Sequence, residues 1–210
     1  GWNRNEVDIT VTVEGRDQDD VSFSIEQSSR GIEVSSEFDK RRARADVKMQ
    51  IKVPTKFNLE ISTTGGDVQI EGVEGKIEGS SMGGDIDLSG LKGLINFSTM
   101  GGDITLVNST VDGSVHTMGG DVDIIDVTGS VEGTTMGGNV THKNVKSGTL
   151  GANSEVKIET MGGDINVDEA LYGANLHTMG GEINVRKAGK FVKATTMGGD
   201  IEIDAIDGWI

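Results

Sequence analysis

Apolar and polar residues alternate along most of this chain, in short runs cut by glycine. Near the start the runs are VDITVTV (7–13), VSFSIE (21–26), GIEV (31–34), VKMQIKV (47–53) and FNLEI (57–61). A period of two buries one face of a strand. Helical spacing never persists for two turns, so the pattern predicts strands throughout.

From residue 64 the alternation locks to a marker. The stretch STMGGDIT (98–105) is rewritten as SSMGGDID, HTMGGDVD, TTMGGNVT, ETMGGDIN, HTMGGEIN and TTMGGDIE. The first glycines are Gly65, Gly83, Gly101, Gly119, Gly137, Gly162, Gly180 and Gly198, spaced by 18 residues except for one step of 25. Three and five residues past the marker stand two apolar columns, Val68 to Ile201 and Ile70 to Ile203, with a polar residue between them. Further apolar positions fall at Val73, Leu91, Val127, Val145 and Ile206, then at Ile77, Ile95, Val131 and Val192. Each period therefore reads as two or three short strands joined by corners.

A fixed period of this size signals a solenoid, in which each repeat is covered only by its neighbours. The expected fold is all-β: a single parallel β-helix of about 18 residues per rung, with rungs about 4.8 Å apart. The apolar offsets do not fall at six-residue intervals, which together with the usual crossover hand favours a right-handed coil. Residues 1–60 lack the marker and are read as an N-terminal β cap or irregular first coils, continuous with the repeat at 61–210. The end, IDGWI (206–210), stops where another TTMGGD is due, so the natural protein is expected to continue.

Composition sharpens this picture. Glycine is abundant at 32 residues while Pro54 is the only proline, which suits tight corners rather than a disordered linker. A formal net charge of -15 repels nucleic acid and anionic lipid and argues against both as partners. The basic run KRRAR (40–44) reads as a loop or solvated strand edge. No apolar stretch approaches the roughly 18 residues that cross a bilayer, so no membrane insertion is expected in this segment. With no cysteine, redox compartment is not readable from disulfides.

Three columns are candidates for chemistry. The ligand-binding candidates are the acids after the glycine pair, Asp85, Asp103, Asp121, Asp164, Glu182 and Asp200, together with His142. Calcium would relieve repulsion along the acid column, but the solenoid calcium signature G-G-x-G-x-D is absent. Corner capping by an Asx turn outweighs metal binding there. The glycine pair is expected to supply positive φ at a sharp bend. The methionine column runs from Met82 to Met197, with Thr64 in the first repeat. Strict alternation points it outward, but a bend at the corner reverses that. We expect it to line the corner as a flexible filler, and capture of a soft metal by it to be the weaker reading. Outward, it becomes a hydrophobic stripe and a contact surface.

His142 occupies an aliphatic column, in a rung with Asn139 for Asp, just before the seven-residue excess around 146–156. The expectation is a distorted rung that extrudes a loop. His116 and His177 lie three rungs apart and do not act together. Arg186 is the only arginine of the repeat, and no nucleophile motif, phosphate loop or zinc spacing is present. The chain is therefore read as no enzyme and as needing no cofactor.

At residues 46–90 the chain resembles a bacterial adhesin-like family of β-strand-repeat domains of unknown function. The residues that carry this are Val53-Pro54 entering the repeat and TGGDVQIEGVEG (64–75). The resemblance extends from about residue 7 to the C-terminus. It implies a right-handed β-helix-like fold, export, and a location at the cell surface, in the periplasm or outside the cell, with a protein, glycan or other surface ligand. It transfers no catalytic residues. Two other roles stay open: a polysaccharide-acting enzyme with its site near the 146–156 loop, and a structural solenoid that self-associates end to end.

Overall fold

The computed structural model describes residues 1–28, 31–38, 45–146 and 155–207. The basic run at 40–44 and most of the loop at 146–156 lie outside these. The chain divides into two compact units, Arg4–Val53 and Gly1–Asn3 with Pro54–Ile210.

In the smaller unit, β1 (Asp8–Gly15), β2 (Val21–Ser28), β3 (Gly31–Phe38) and β4 (Ala45–Lys52) form two antiparallel pairs. Strand β1 pairs with β4 from Asp8↔Lys52 to Gly15↔Ala45, and β2 with β3 from Val21↔Phe38 to Ser28↔Gly31. The lead-in strands thus pair with one another. No described residue of these four strands is fully buried.

The larger unit is the solenoid. Its first strands are β5 (Leu59–Thr63), β6 (Val68–Glu71), β7 (Glu74–Ser81), β8 (Ile86–Ser89), β9 (Lys92–Thr99), β10 (Ile104–Val107), β11 (Thr110–Thr117) and β12 (Val122–Ile125). They are followed by β13 (Val131–Thr134), β14 (Val140–Lys143), β15 (Val156–Glu159), β16 (Ile165–Ala170), β17 (Ala174–His177), β18 (Ile183–Ala188), β19 (Val192–Thr195) and β20 (Ile201–Ile206). The even-numbered strands β6 to β20 stack into one eight-stranded sheet and the odd-numbered β5 to β19 into another. Every pairing within them is parallel and in register: Ile104 lies beside Ile86 and Val122, and Ile95 beside Ile77 and Gly113. The fold is a parallel β-solenoid of about eight turns, with two strands per rung.

The core lies between the two sheets. Ile86, Ile104, Val122, Val140, Ile165 and Ile183 form one buried column of the even sheet, and Leu88, Leu106, Ile124, Val167 and Val185 most of the next. Each such side chain contributes about 1.5–3 kcal/mol by leaving water. The odd sheet is less uniform and mixes sizes. The column Gly79, Phe97, Val115, Gly133, Ile158, Leu176 is in register, and its two glycines make room. A Cβ on Gly79 would meet Phe97 Cε1 at 2.6 Å, and one on Gly133 would meet Ile124 Cδ1 of the facing sheet at 3.2 Å.

The corner from even to odd strands carries its own sequence column. Gly72, Gly90, Asn108, Asp126 and Asn144 all take left-handed φ between 51° and 65°. These residue types bear that conformation at least cost. The last three rungs abandon it. Strands β16, β18 and β20 run on for six residues, so Glu169 and Lys187 sit side by side within the sheet.

Candidate functional site

The glycine-pair corner from odd to even strands was the strongest candidate in the sequence, and the structure resolves it into four parallel columns. The first is a hydroxyl column turned inward: Ser81, Thr99, Thr117, Thr135, Thr160 and Thr178, all at most 3% exposed. Each hydroxyl links two rungs. Thr117 Oγ1 donates to the carbonyl of Gly102 at 2.8 Å and accepts from the amide of Gly120 at 3.2 Å. The same pair of bonds recurs at Ser81, Thr99, Thr135, Thr160, Thr178 and Thr196. Buried backbone groups at a bend have no ladder partner, and the hydroxyl provides one.

The second column is methionine, and here the expectation is corrected. Met82, Met100, Met118, Met136, Met161, Met179 and Met197 are 41–75% exposed. Strand alternation continues to the end of the strand, so Thr goes in and Met goes out. The bend begins one residue later than anticipated.

The third column is the glycine pair itself, whose members differ. A Cβ on the second glycine would strike the preceding rung: on Gly102 it would lie 2.3 Å from the carbonyl oxygen of Gly84, on Gly120 2.2 Å from that of Gly102. A Cβ on Gly83, a first glycine, would meet nothing within 4 Å. No glycine of the pairs has left-handed φ. Close stacking, not positive φ, requires glycine here, which corrects the second expectation.

The fourth column is acidic. Asp67, Asp85, Asp103, Asp121, Asn139 and Asp164 each accept, through Oδ1, the amide of the equivalent residue one rung on. The distances run from 2.7 to 3.1 Å. The carboxylates cap the next corner rather than their own, a third correction. Glu182 and Asp200, at the end of the column, are both exposed. Among the described residues no group of three His, Cys, Asp or Glu is placed to hold a metal ion.

His142 stands in the even-sheet core between Ile124 and Val167 and is 2% exposed. Its Nδ1 has no hydrogen-bond partner among the described residues. Burial alone pushes its pKa down to about 4, so the ring is neutral in the folded protein near neutral pH. It is not brought together with the acid column. His116 and His177 lie in one column on the outer face of the odd sheet, with Thr134 and Glu159 between them.

Two open depressions mark the outer faces. On the even sheet a hollow of about 320 Å³ is lined by Thr141, Lys143, Asn166, Asp168, Asn184 and Arg186. Two of its charges are paired within the sheet, Arg186 Nε meeting Asp168 Oδ1 at 2.6 Å, and next to them Lys187 meets Glu169 at 3.1 Å. On the odd sheet a hollow of about 400 Å³ is lined by Ser130, Glu132, Glu155, Lys157, Tyr172 and Phe191.

Sequence reasoning missed this second hollow, though a signal was present. Tyr172 is the only tyrosine of a chain that is 4% aromatic. The remodelled corners of the last rungs place it one residue before Gly173, against which the Phe191 ring lies: a Cβ on Gly173 would meet Phe191 Cε1 at 2.4 Å. Lys190 Nζ sits 4.9 Å from the centre of the Tyr172 ring, within cation–π range.

Fold and surface together define a β-solenoid with a stapled corner on one edge and a small aromatic hollow on one face. Comparison with family models, curated proteins and solved structures returns no match.

Proposed function

We propose that this chain is a non-catalytic binding solenoid of the cell envelope, which holds a rigid surface out to a saccharide. The observation that carries the reading is the odd-sheet hollow. Tyr172 and Phe191 offer apolar ring faces on neighbouring rungs, and Glu132, Glu155 and Lys157 stand around them. A pyranose has the same mixed character: an apolar C–H face that lies on a ring and hydroxyls that seek charged acceptors and donors. Aromatic residues with a few convergent polar groups are the usual composition of a small-ligand site. A stack of hydrogen-bonded rungs fixes these groups before the ligand arrives, which lowers the ordering cost of binding.

Export to the cell surface or periplasm rests on the family resemblance carried by Val53-Pro54 and residues 64–75. The test is a glycan array paired with a hydrolysis assay on the retained sugars. Retention without cleavage, lost in Tyr172→Ala and in Phe191→Ala, supports the reading. Turnover of a retained glycan makes the chain an enzyme instead. Absence of any retained glycan refutes saccharide binding.

A further inference from the structure

Seven of the chain's eight methionines stand in the single column Met82 to Met197. The fold does not ask for a thioether there, because Thr64 takes the place in the first repeat. Among the described residues, the buried core of the solenoid is built mainly from Val, Ile and Leu and holds no methionine. These methionines are exposed instead, and little covers them. On one side the Ser or Thr is turned inward. On the other is the first glycine, which has no side chain, and at Gly83 even an added Cβ would touch nothing within 4 Å.

The result is a bare ridge of thioethers, one per rung, in register about 4.8 Å apart. We propose that this ridge binds soft monovalent metal ions, Cu(I) or its non-redox analogue Ag(I), between thioethers of successive rungs. Sulfur is a soft, neutral donor that selects Cu(I) over hard cations. With bonds of roughly the 2.3 Å of zinc–thiolate sites or a little longer, one ion spans two sulfurs about 4.6 Å or slightly more apart, close to the rung spacing. The flexible Met side chain closes the remaining difference. Three residues along, the acid column runs parallel to the ridge. Its negative field draws cations to this edge, while its oxygens are hard donors and suit a soft ion poorly.

The experiment is a titration of ¹³C-methyl-methionine-labelled protein with silver nitrate in chloride-free buffer, read by NMR at pH 7 and pH 5. The expected result is a shift of the column's ε-methyl signals, with Met49 unmoved and no difference between the two pH values, since thioethers do not titrate. The triple variant M100L/M118L/M136L keeps an apolar side chain of similar size and leaves intact only Met161–Met179 and Met179–Met197 of the six adjacent pairs, so its uptake of Ag(I) is expected to fall by about two thirds. Circular dichroism confirms that it folds. Static methyl signals overturn the proposal. So does binding lost at pH 5, which assigns the ion to imidazole nitrogens, the side-chain groups that protonate in that interval, or a triple variant that takes up as much Ag(I) as the parent. The wild-type methyl shifts decide the matter even if the variant fails to fold.

Discussion

Gly120 stacks on Gly102 so closely that a Cβ on the first would lie 2.2 Å from the carbonyl oxygen of the second. The neighbouring Gly119 has room: its nearest contacts to an added Cβ begin at 3.5 Å. Gly120→Ala is therefore expected to cost about 3 kcal/mol or more, because backbone of two rungs must part. Gly119→Ala is expected to change stability by less than about 1 kcal/mol. Urea unfolding of the two variants checks the contrast, and equal losses would count against it.

The hydroxyl staple makes a second prediction. Thr117→Val keeps the shape but leaves the Gly102 carbonyl and the Gly120 amide without their side-chain partner. The expected loss is about 2 kcal/mol or more, the cost of buried groups left unpaired. Thr117→Ser retains the bonds, as Ser81 does naturally, and should recover most of that loss. Chemical denaturation of the pair decides it.

Along the acid column the oxygen matters more than the charge. Asn139 accepts the Asp164 amide at 2.8 Å as well as any aspartate does. Asp121→Asn is expected to stay within about 0.5 kcal/mol of the parent, and Asp121→Ala to lose about 1 kcal/mol. Thermal melts at low and moderate salt test this, since removing one charge from the column should also reduce the salt dependence.

Phe97 and Gly79 are matched in size. Gly79→Ala drives a methyl into the ring of Phe97, which is 1% exposed, at an expected cost of about 1–3 kcal/mol. Adding Phe97→Leu should make the alanine less costly than it is alone. A double-mutant cycle with no coupling would contradict that.

His142 gives a pH dependence with a definite sign. Its folded pKa, about 4, lies below the unfolded value of about 6.5, so the unfolded chain takes up the proton first. Stability is unaffected above pH 6.5 and falls as pH drops from 6.5 to about 4, by about 2 kcal/mol at pH 5. Carboxylates titrate in part of the same range, so the measured quantity is the difference between parent and His142→Val, from denaturation at pH 7 and pH 5. The variant should lack this share of the acid sensitivity.

Much of the architecture was legible before any coordinates. The 18-residue period, the strand spans and the buried columns all follow from alternation, which is a local property: a strand with one wet face must write it every second residue. The glycine pair marked a corner correctly for the same reason. The left-handed column Gly72, Gly90, Asn108, Asp126, Asn144 was equally visible in residue type, though overlooked.

Stacking decided the rest. Whether Met100 or Thr99 turns inward depends on where the bend begins, and alternation does not mark that point. The amide that Asp103 caps, the carbonyl that Thr117 reaches and the backbone that excludes a side chain at Gly120 all belong to a rung 15 to 18 residues away. The hollow of Tyr172 and Phe191 exists because two rebuilt corners meet across rungs. A repeat spells out what each turn must contain, but only the pile of turns determines which atoms touch.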